Sequence, residues 1–169
     1  MSRVPFDVND AALRERLLRQ VLPDALAGLR EDARPAWGAM TAQQMVEHLA
    51  WVFEVSIGAA SVECSTPEAR RERWKAFLYD ATPMPHEFRN PALVAGLPRL
   101  RYAGLAEARA ALARVVELFL EQGRAAPEAT HTHPTFGPLR AEEWSRSHFK
   151  HVYHHLTQFG LIEREGGIA

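Results

Sequence analysis

His151 and His155 stand four residues apart near the end of the 169-residue chain. On an α-helix that spacing stacks two imidazoles on one face, close enough to share a metal ion. It is also the spacing of the zinc-protease motif H-E-x-x-H. Here Val152 and Tyr153 follow His151, so the glutamate that acts as general base in that motif is missing. At about 100° per residue from His148, His151 falls at about −60° and His155 at about −20°, beside the apolar arc of Phe149, Val152, Leu156 and Phe159. His154 falls at about 240° on the same wheel and is expected to face solvent.

Two ligands rarely hold a divalent ion well, and His48 is the candidate third. It shares a helical face with Met45, Val52 and Val55, so it points into the same interior. Three neutral imidazoles with one open position describe a catalytic type of site, in which water or a substrate heteroatom takes the vacancy. A closed structural site needs a fourth ligand, for which His148, His131 and His133 are the nearest candidates. A histidine on an apolar face is also often a hydrogen-bonded core residue, so the bare residues leave both readings open. His131 and His133 lie in a proline-rich stretch and read as exposed loop residues. Cys64 has no partner motif and reads as inert. Arg70-Arg71-Glu72-Arg73 reads as a solvated helix face, and no glycine-rich phosphate loop or serine nucleophile elbow is present.

Helices must position these residues. The first is expected to start at Asn9 or Asp10, with Leu13, Leu17, Leu18 and Val21 as its stripe, and to end or kink at Pro23, with Ala25, Leu26 and Leu29 as the alternative, a further turn beyond it. Thr41-Ala42-Gln43-Gln44 forms a capping box that opens the helix carrying His48, with Gly58 near its end. A third helix is expected from Thr66-Pro67-Glu68, with Thr66 as cap and Pro67 in the first helical position. Four prolines between Pro83 and Pro98 argue against regular helix from Ala81 to Leu100. A fourth helix is expected from Leu105, with Leu112, Val115, Val116, Phe119 and Leu120 inward and Gly123 as its stop. Arg124 to Leu139 reads as loop, and the last helix as Ala141 to Phe159 with Gly160 as C-cap. No alternation long enough to argue a sheet is present. The expectation is an all-α fold, most simply a four-helix bundle with long crossovers.

Composition is consistent with one domain spanning residues 1–169. Hydrophobic residues make up 47%, enough for a core. Twenty Lys and Arg against 21 Asp and Glu leave a net charge of −1, which offers nucleic acid or an anionic membrane no global attraction. The segment Met1–Asp7 lacks the apolar stretch of a signal peptide, and one cysteine excludes an intramolecular disulfide. A cytoplasmic protein is expected, with no membrane partner.

Two segments resemble a known family. Trp37-Gly38-Ala39-Met40-Thr41-Ala42-Gln43-Gln44-Met45-Val46-Glu47-His48-Leu49 resembles the opening motif of the DinB-like superfamily. His133-Pro134-Thr135-Phe136-Gly137-Pro138-Leu139, Glu143-Trp144 and His151-Val152-Tyr153-His154-His155-Leu156-Thr157-Gln158-Phe159-Gly160 resemble the ending of one of its branches. The resemblance implies an up-down-down-up four-helix bundle with a long crossover, commonly a homodimer. It also implies a divalent metal on three histidines, which carry over to His48, His151 and His155. Arg140 stands where the family commonly has Ser or Thr capping the last helix.

Relatives of this kind include thiol-dependent transferases and isomerases. The expected function is therefore a divalent-metal-dependent enzyme that activates a low-molecular-weight thiol or water for transfer or hydrolysis. Zinc or nickel is the leading metal, with manganese or iron as alternatives. A small-molecule substrate is the expected partner; the loop of His133 and Phe136 would border its pocket, and Glu47 or Tyr153 would act nearby. The alternative is a non-catalytic metal- or small-ligand-binding bundle, such as a stress-response accessory protein. A bundle whose histidines are purely structural is the third reading.

Overall fold

The computed structural model describes residues 2–86 and 99–165. The first helical rod begins at α1 (Ala11–Arg16), where the Asp10 carboxylate accepts the Leu13 amide at 3.0 Å. Pro23 neither ends nor breaks it. The chain widens into a π-helical turn at Leu17–Val21, in which the Leu22 amide reaches back to the Leu17 carbonyl, and continues as α2 (Leu22–Ala27). Proline has no amide to give and its ring crowds the carbonyl four residues back; the π turn immediately before it absorbs both demands.

α3 (Ala42–Ser56) opens with the capping box: the Gln44 amide donates to Thr41 Oγ1 at 3.2 Å and the Thr41 amide to Gln44 Oε1 at 2.9 Å. It is the most enclosed helix, burying Val46, Ala50 and Phe53 as well as the expected face of Met45, His48, Leu49, Val52 and Val55. α4 (Glu68–Lys75) and a 3₁₀ turn at Ala76–Leu78 follow. Pro67, not Thr66, holds the N-cap position, and no side chain caps this helix. The Thr66 carbonyl instead accepts Arg71 Nε at 3.1 Å.

Part of the proline-rich crossing, residues 87–98, lies outside the described residues. α5 (Leu105–Ala125) passes through Gly123, which does not stop it; a Cβ there would come within 3.3 Å of the Ala141 Cβ, so the residue is small because another chain segment is close. α6 (Ala141–Gln158) closes the helical set. Its missing Ser or Thr cap is compensated from inside the helix, where Glu143 Oε2 accepts the Arg140 amide at 3.0 Å.

The fold is mostly helical but not all-α. β1 (Ser2–Val4) pairs in parallel with β4 (Ile162–Arg164), and β2 (Thr130–His133) pairs antiparallel with β3 (Gly137–Arg140) in a hairpin. Strands of three or four residues are too short to show a period of two, and Pro138 sits in one of them at an edge, where a missing amide is tolerated. α3 packs most extensively against α5 and also against α6 and β2. Leu17, Leu49, Phe53, Leu112, Trp144, Phe149 and Leu156 meet in the shared core.

Arg14 ties the first rod to α6 from inside that core. It is 1% exposed, donates to both oxygens of Glu142 at 2.7 and 2.8 Å, and also reaches Ser145 Oγ and the Val8 carbonyl. Among the described residues, no helix is long and apolar enough to cross a membrane.

The two threonines separate in a denaturation experiment. Thr41→Val is expected to destabilise the protein by about 1 kcal/mol in urea because a cap is lost. Thr66→Val, which removes no cap, is expected to change stability by less than about 0.5 kcal/mol.

Candidate metal centre

α3 delivers His48 from one side and α6 delivers His151 and His155 from the other. The His151 Nε2 lies 2.9 Å from the His48 Nε2 and 3.0 Å from the His155 Nε2. All three nitrogens fall within 4.8 Å of one another. Nitrogens sharing a tetrahedral zinc at about 2.0–2.1 Å would lie about 3.3 Å apart, so these separations are of the size a shared ion requires.

Hydrogen bonding among the rings cannot satisfy all three. His155 Nδ1 lies 2.8 Å from Gln158 Oε1, which offers only lone pairs, so the ring hydrogen sits on Nδ1 and Nε2 is left with its lone pair. The amide of Gln158 is itself oriented: its Nε2 donates to the Trp37 carbonyl at 2.8 Å. Gly38 completes that support, with φ of 81° and with a would-be Cβ only 2.9 Å from the same Gln158 Nε2. A single hydrogen on the His151 Nε2 cannot point well at two neighbours, whereas a cation at the centre accepts three lone pairs at once. The residues therefore fit a divalent ion.

Burial keeps these rings neutral, the form that ligates. It pushes His48 down to about 4, with the nearby His154 adding to the effect. His151 and His155 are held well below the ordinary 6.5, first by burial and then by their neighbouring imidazoles.

A cavity of about 680 Å³ opens beside the histidines, within the range of small-molecule sites. Trp51, Val52, Phe77, Leu78 and Phe136 give it apolar walls, and the hairpin residues His133 and Phe136 border it as expected. α4 buries none of its own residues, yet its Trp74 and the following turn form part of the same wall. Lys150 and Asp80 also line it, paired at 2.9 Å, and Lys150 donates a second bond to the Thr82 carbonyl.

His154 does not face solvent; it is half-buried, edge-on to Trp37 at 5.6 Å, and lines the cavity because the 37–40 and 82–86 segments fold over that side of α6. His131 and His133 are not exposed loop residues but part of β2, and the His133 ring is held between Phe136 and Trp144. His148 joins no metal set. It is fully buried, stacked on Phe53 at 3.7 Å, with its Nε2 2.9 Å from Ser56 Oγ. Among the described residues, only His48, His151 and His155 converge as ligands.

Glu47 and Tyr153 are committed elsewhere. Glu47 accepts the Arg101 amide at 2.7 Å and the Tyr102 amide at 3.3 Å, anchoring the chain's return into α5. Tyr153 donates to the Val4 carbonyl at 2.7 Å, which secures β1. Cys64 is partly buried, with its thiol 3.6 Å from the Thr66 carbonyl. Of the basic run, Arg70 and Arg73 are exposed while Arg71 is drawn in against Thr66 and Gly137.

The chain belongs to the DinB superfamily, whose family model matches residues 13–159. No curated protein and no solved structure is a significant match.

Several histidines buried as neutral rings make folding acid-sensitive. Burial takes His133 down to about 3 and His48 to about 4, whereas the unfolded chain takes up protons at about 6.5. As pH falls below 6.5 the unfolded state binds protons that the folded state refuses, so stability is lost from there down towards 3–4. The metal-free protein is expected to lose on the order of 1 kcal/mol per pH unit for each such histidine. Thermal melts between pH 7 and pH 5 should show a falling midpoint; a flat profile would contradict neutral burial.

Proposed function

We propose that this protein is a divalent-metal-dependent enzyme in which His48, His151 and His155 hold one first-row ion, zinc or nickel ahead of manganese or iron. The observation that carries the reading is the convergence of three neutral imidazole Nε2 atoms at the side of an apolar cavity. A dication bound there would lower the pKa of a thiol or water in its open position towards neutral pH.

The chain's own residues have distinct tasks. His48 joins α3 to the pair on α6. Gln158 holds the proton of His155 on Nδ1 and so keeps Nε2 available. Trp51, Val52 and Phe136 give the cavity apolar walls for the body of a ligand. No uncommitted carboxylate, tyrosine or lysine stands beside the histidines among the described residues, since Glu47, Tyr153, Asp80 and Lys150 all have partners. A reactant that brings its own nucleophile therefore suits the site, and a low-molecular-weight thiol transferred to or from a small molecule is the reading we favour over hydrolysis. The same lack of a free acid or base favours the second reading, a bundle that binds metal or a small ligand without turnover.

In this reading residues 1–169 are one domain, a four-helix bundle of up-down-down-up topology working as a homodimer in the cytoplasm. It has neither nucleic acid nor membrane as partner.

Metal content tests the site. Untagged protein reconstituted with zinc is expected to carry about one ion per chain. His48→Ala and His155→Ala should lose it while their helical circular dichroism persists. Wild type without metal after reconstitution with zinc, nickel, manganese or iron would refute the metalloenzyme. Gln158→Leu is expected to retain the fold and weaken zinc affinity roughly 10–100-fold, read by competition with a chelating dye. Unchanged affinity would contradict its assigned role.

A further inference from the structure

Ser147 precedes His151 by one helical turn on α6, and both line the cavity. Side chains four residues apart on a helix share a face, with Cβ atoms about 5–6 Å apart. The serine is 8% exposed and its hydroxyl has one contact, the His133 Nε2 at 3.3 Å.

The direction of that contact is fixed from the far side of the ring. His133 Nδ1 receives the Thr135 amide at 3.0 Å and the Phe136 amide at 3.3 Å. Two donors aimed at one ring nitrogen require a lone pair there, so the ring hydrogen is on Nε2 and is given to Ser147 Oγ. This excludes a serine–histidine nucleophile pair, because His133 has no lone pair to take the hydroxyl proton. It also leaves that proton without an acceptor.

Helical serine and threonine commonly dispose of it on a carbonyl one turn back. Thr157 and Ser56 do so, to the Tyr153 and Phe53 carbonyls at 2.9 and 2.8 Å. Ser147 makes no such bond, and no described residue accepts from it. Because Ser147 lines the cavity, a molecule bound there is the acceptor left open to it.

The charges around it are already matched. Lys150 and Asp80 neutralise each other in the wall, and Arg73 is exposed, so its charge stays hydrated. Beside its apolar walls the cavity therefore offers the three histidine nitrogens and, one turn along the same helix, the Ser147 hydroxyl hydrogen, with Thr135 and His154 elsewhere on the wall.

We infer that Ser147 is a ligand-recognition residue: its hydroxyl donates to an acceptor oxygen, most simply a carbonyl, on a neutral and largely apolar molecule whose metal-binding atom sits at His48, His151 and His155. This rests on the metal reading above and adds the class of molecule the site selects. Ser147 and His151 stand one helical turn apart, roughly 5–6 Å at Cβ, and a meta-substituted aromatic ring separates a thiol from a carbonyl by about the same length.

The test uses two thiols on zinc-loaded full-length protein, followed by calorimetry. 3-Mercaptoacetophenone carries the carbonyl, and 3-isopropylbenzenethiol replaces its oxygen by a methyl group. Wild type is expected to bind the ketone about ten-fold more tightly, the size of one well-formed hydrogen bond. Ser147→Ala should bind both equally, with zinc content unchanged and affinity for the isopropyl compound within about two-fold of wild type. Equal binding of the two thiols by wild type, or the same preference in both proteins, would overturn the inference and leave the metal site standing. If neither thiol binds wild type that carries its zinc, the thiol reading of the site fails and this inference fails with it.

Discussion

Packing α3 against α6 forces three imidazoles into a space that they can share only as neutral rings. Two Nε2–Nε2 separations of 2.9 and 3.0 Å would be strongly repulsive if the rings were charged, and burial makes charging costly in any case. The rest of the architecture serves that constraint. The Thr41 capping box fixes where α3 begins, Arg14 clamps the first rod to α6, and the apolar face of α5 holds α3 from behind. None of these touches the histidines, yet each limits how far the two ligand-bearing helices can slide.

Histidine serves three physical purposes in this chain. His48, His151 and His155 present lone pairs to a common point. His133 fastens a hairpin by accepting two backbone amides and passes its remaining hydrogen to Ser147. His148 behaves as an aromatic core residue, enclosed by Phe53, Phe119 and Trp144 with one bond to Ser56. Their burial and depressed basicity are alike; what separates the ligand set is where the lone pairs point. Low pKa alone would not have singled out the centre.

Much of this was legible in the chain. The i, i+4 spacing of His151 and His155 and the helical face of His48 named the three convergent residues, and the threonine–glutamine pair located the start of α3. The wheel failed at His154, because it places a residue relative to its own helix and knows nothing of the Trp37 loop folding over the outer side. It failed at the hairpin because Thr130–His133 and Gly137–Arg140 are too short for a period. Gln158 lies three residues after His155 and Ser147 four before His151, so their positions on the ligand face were available. Their roles were not, since these depend on the Trp37 carbonyl and on the amides of Thr135 and Phe136, which only the tertiary fold brings close.

The central claim is that one ion is held by these three nitrogens and no others. Anomalous diffraction at the zinc edge from crystals of zinc-loaded protein tests it most directly. One strong peak per chain is expected, at about 2.0–2.1 Å from the Nε2 atoms of His48, His151 and His155, with a fourth position open to solvent or ligand. A peak elsewhere on the chain, or none beside these histidines at full zinc occupancy, would contradict it.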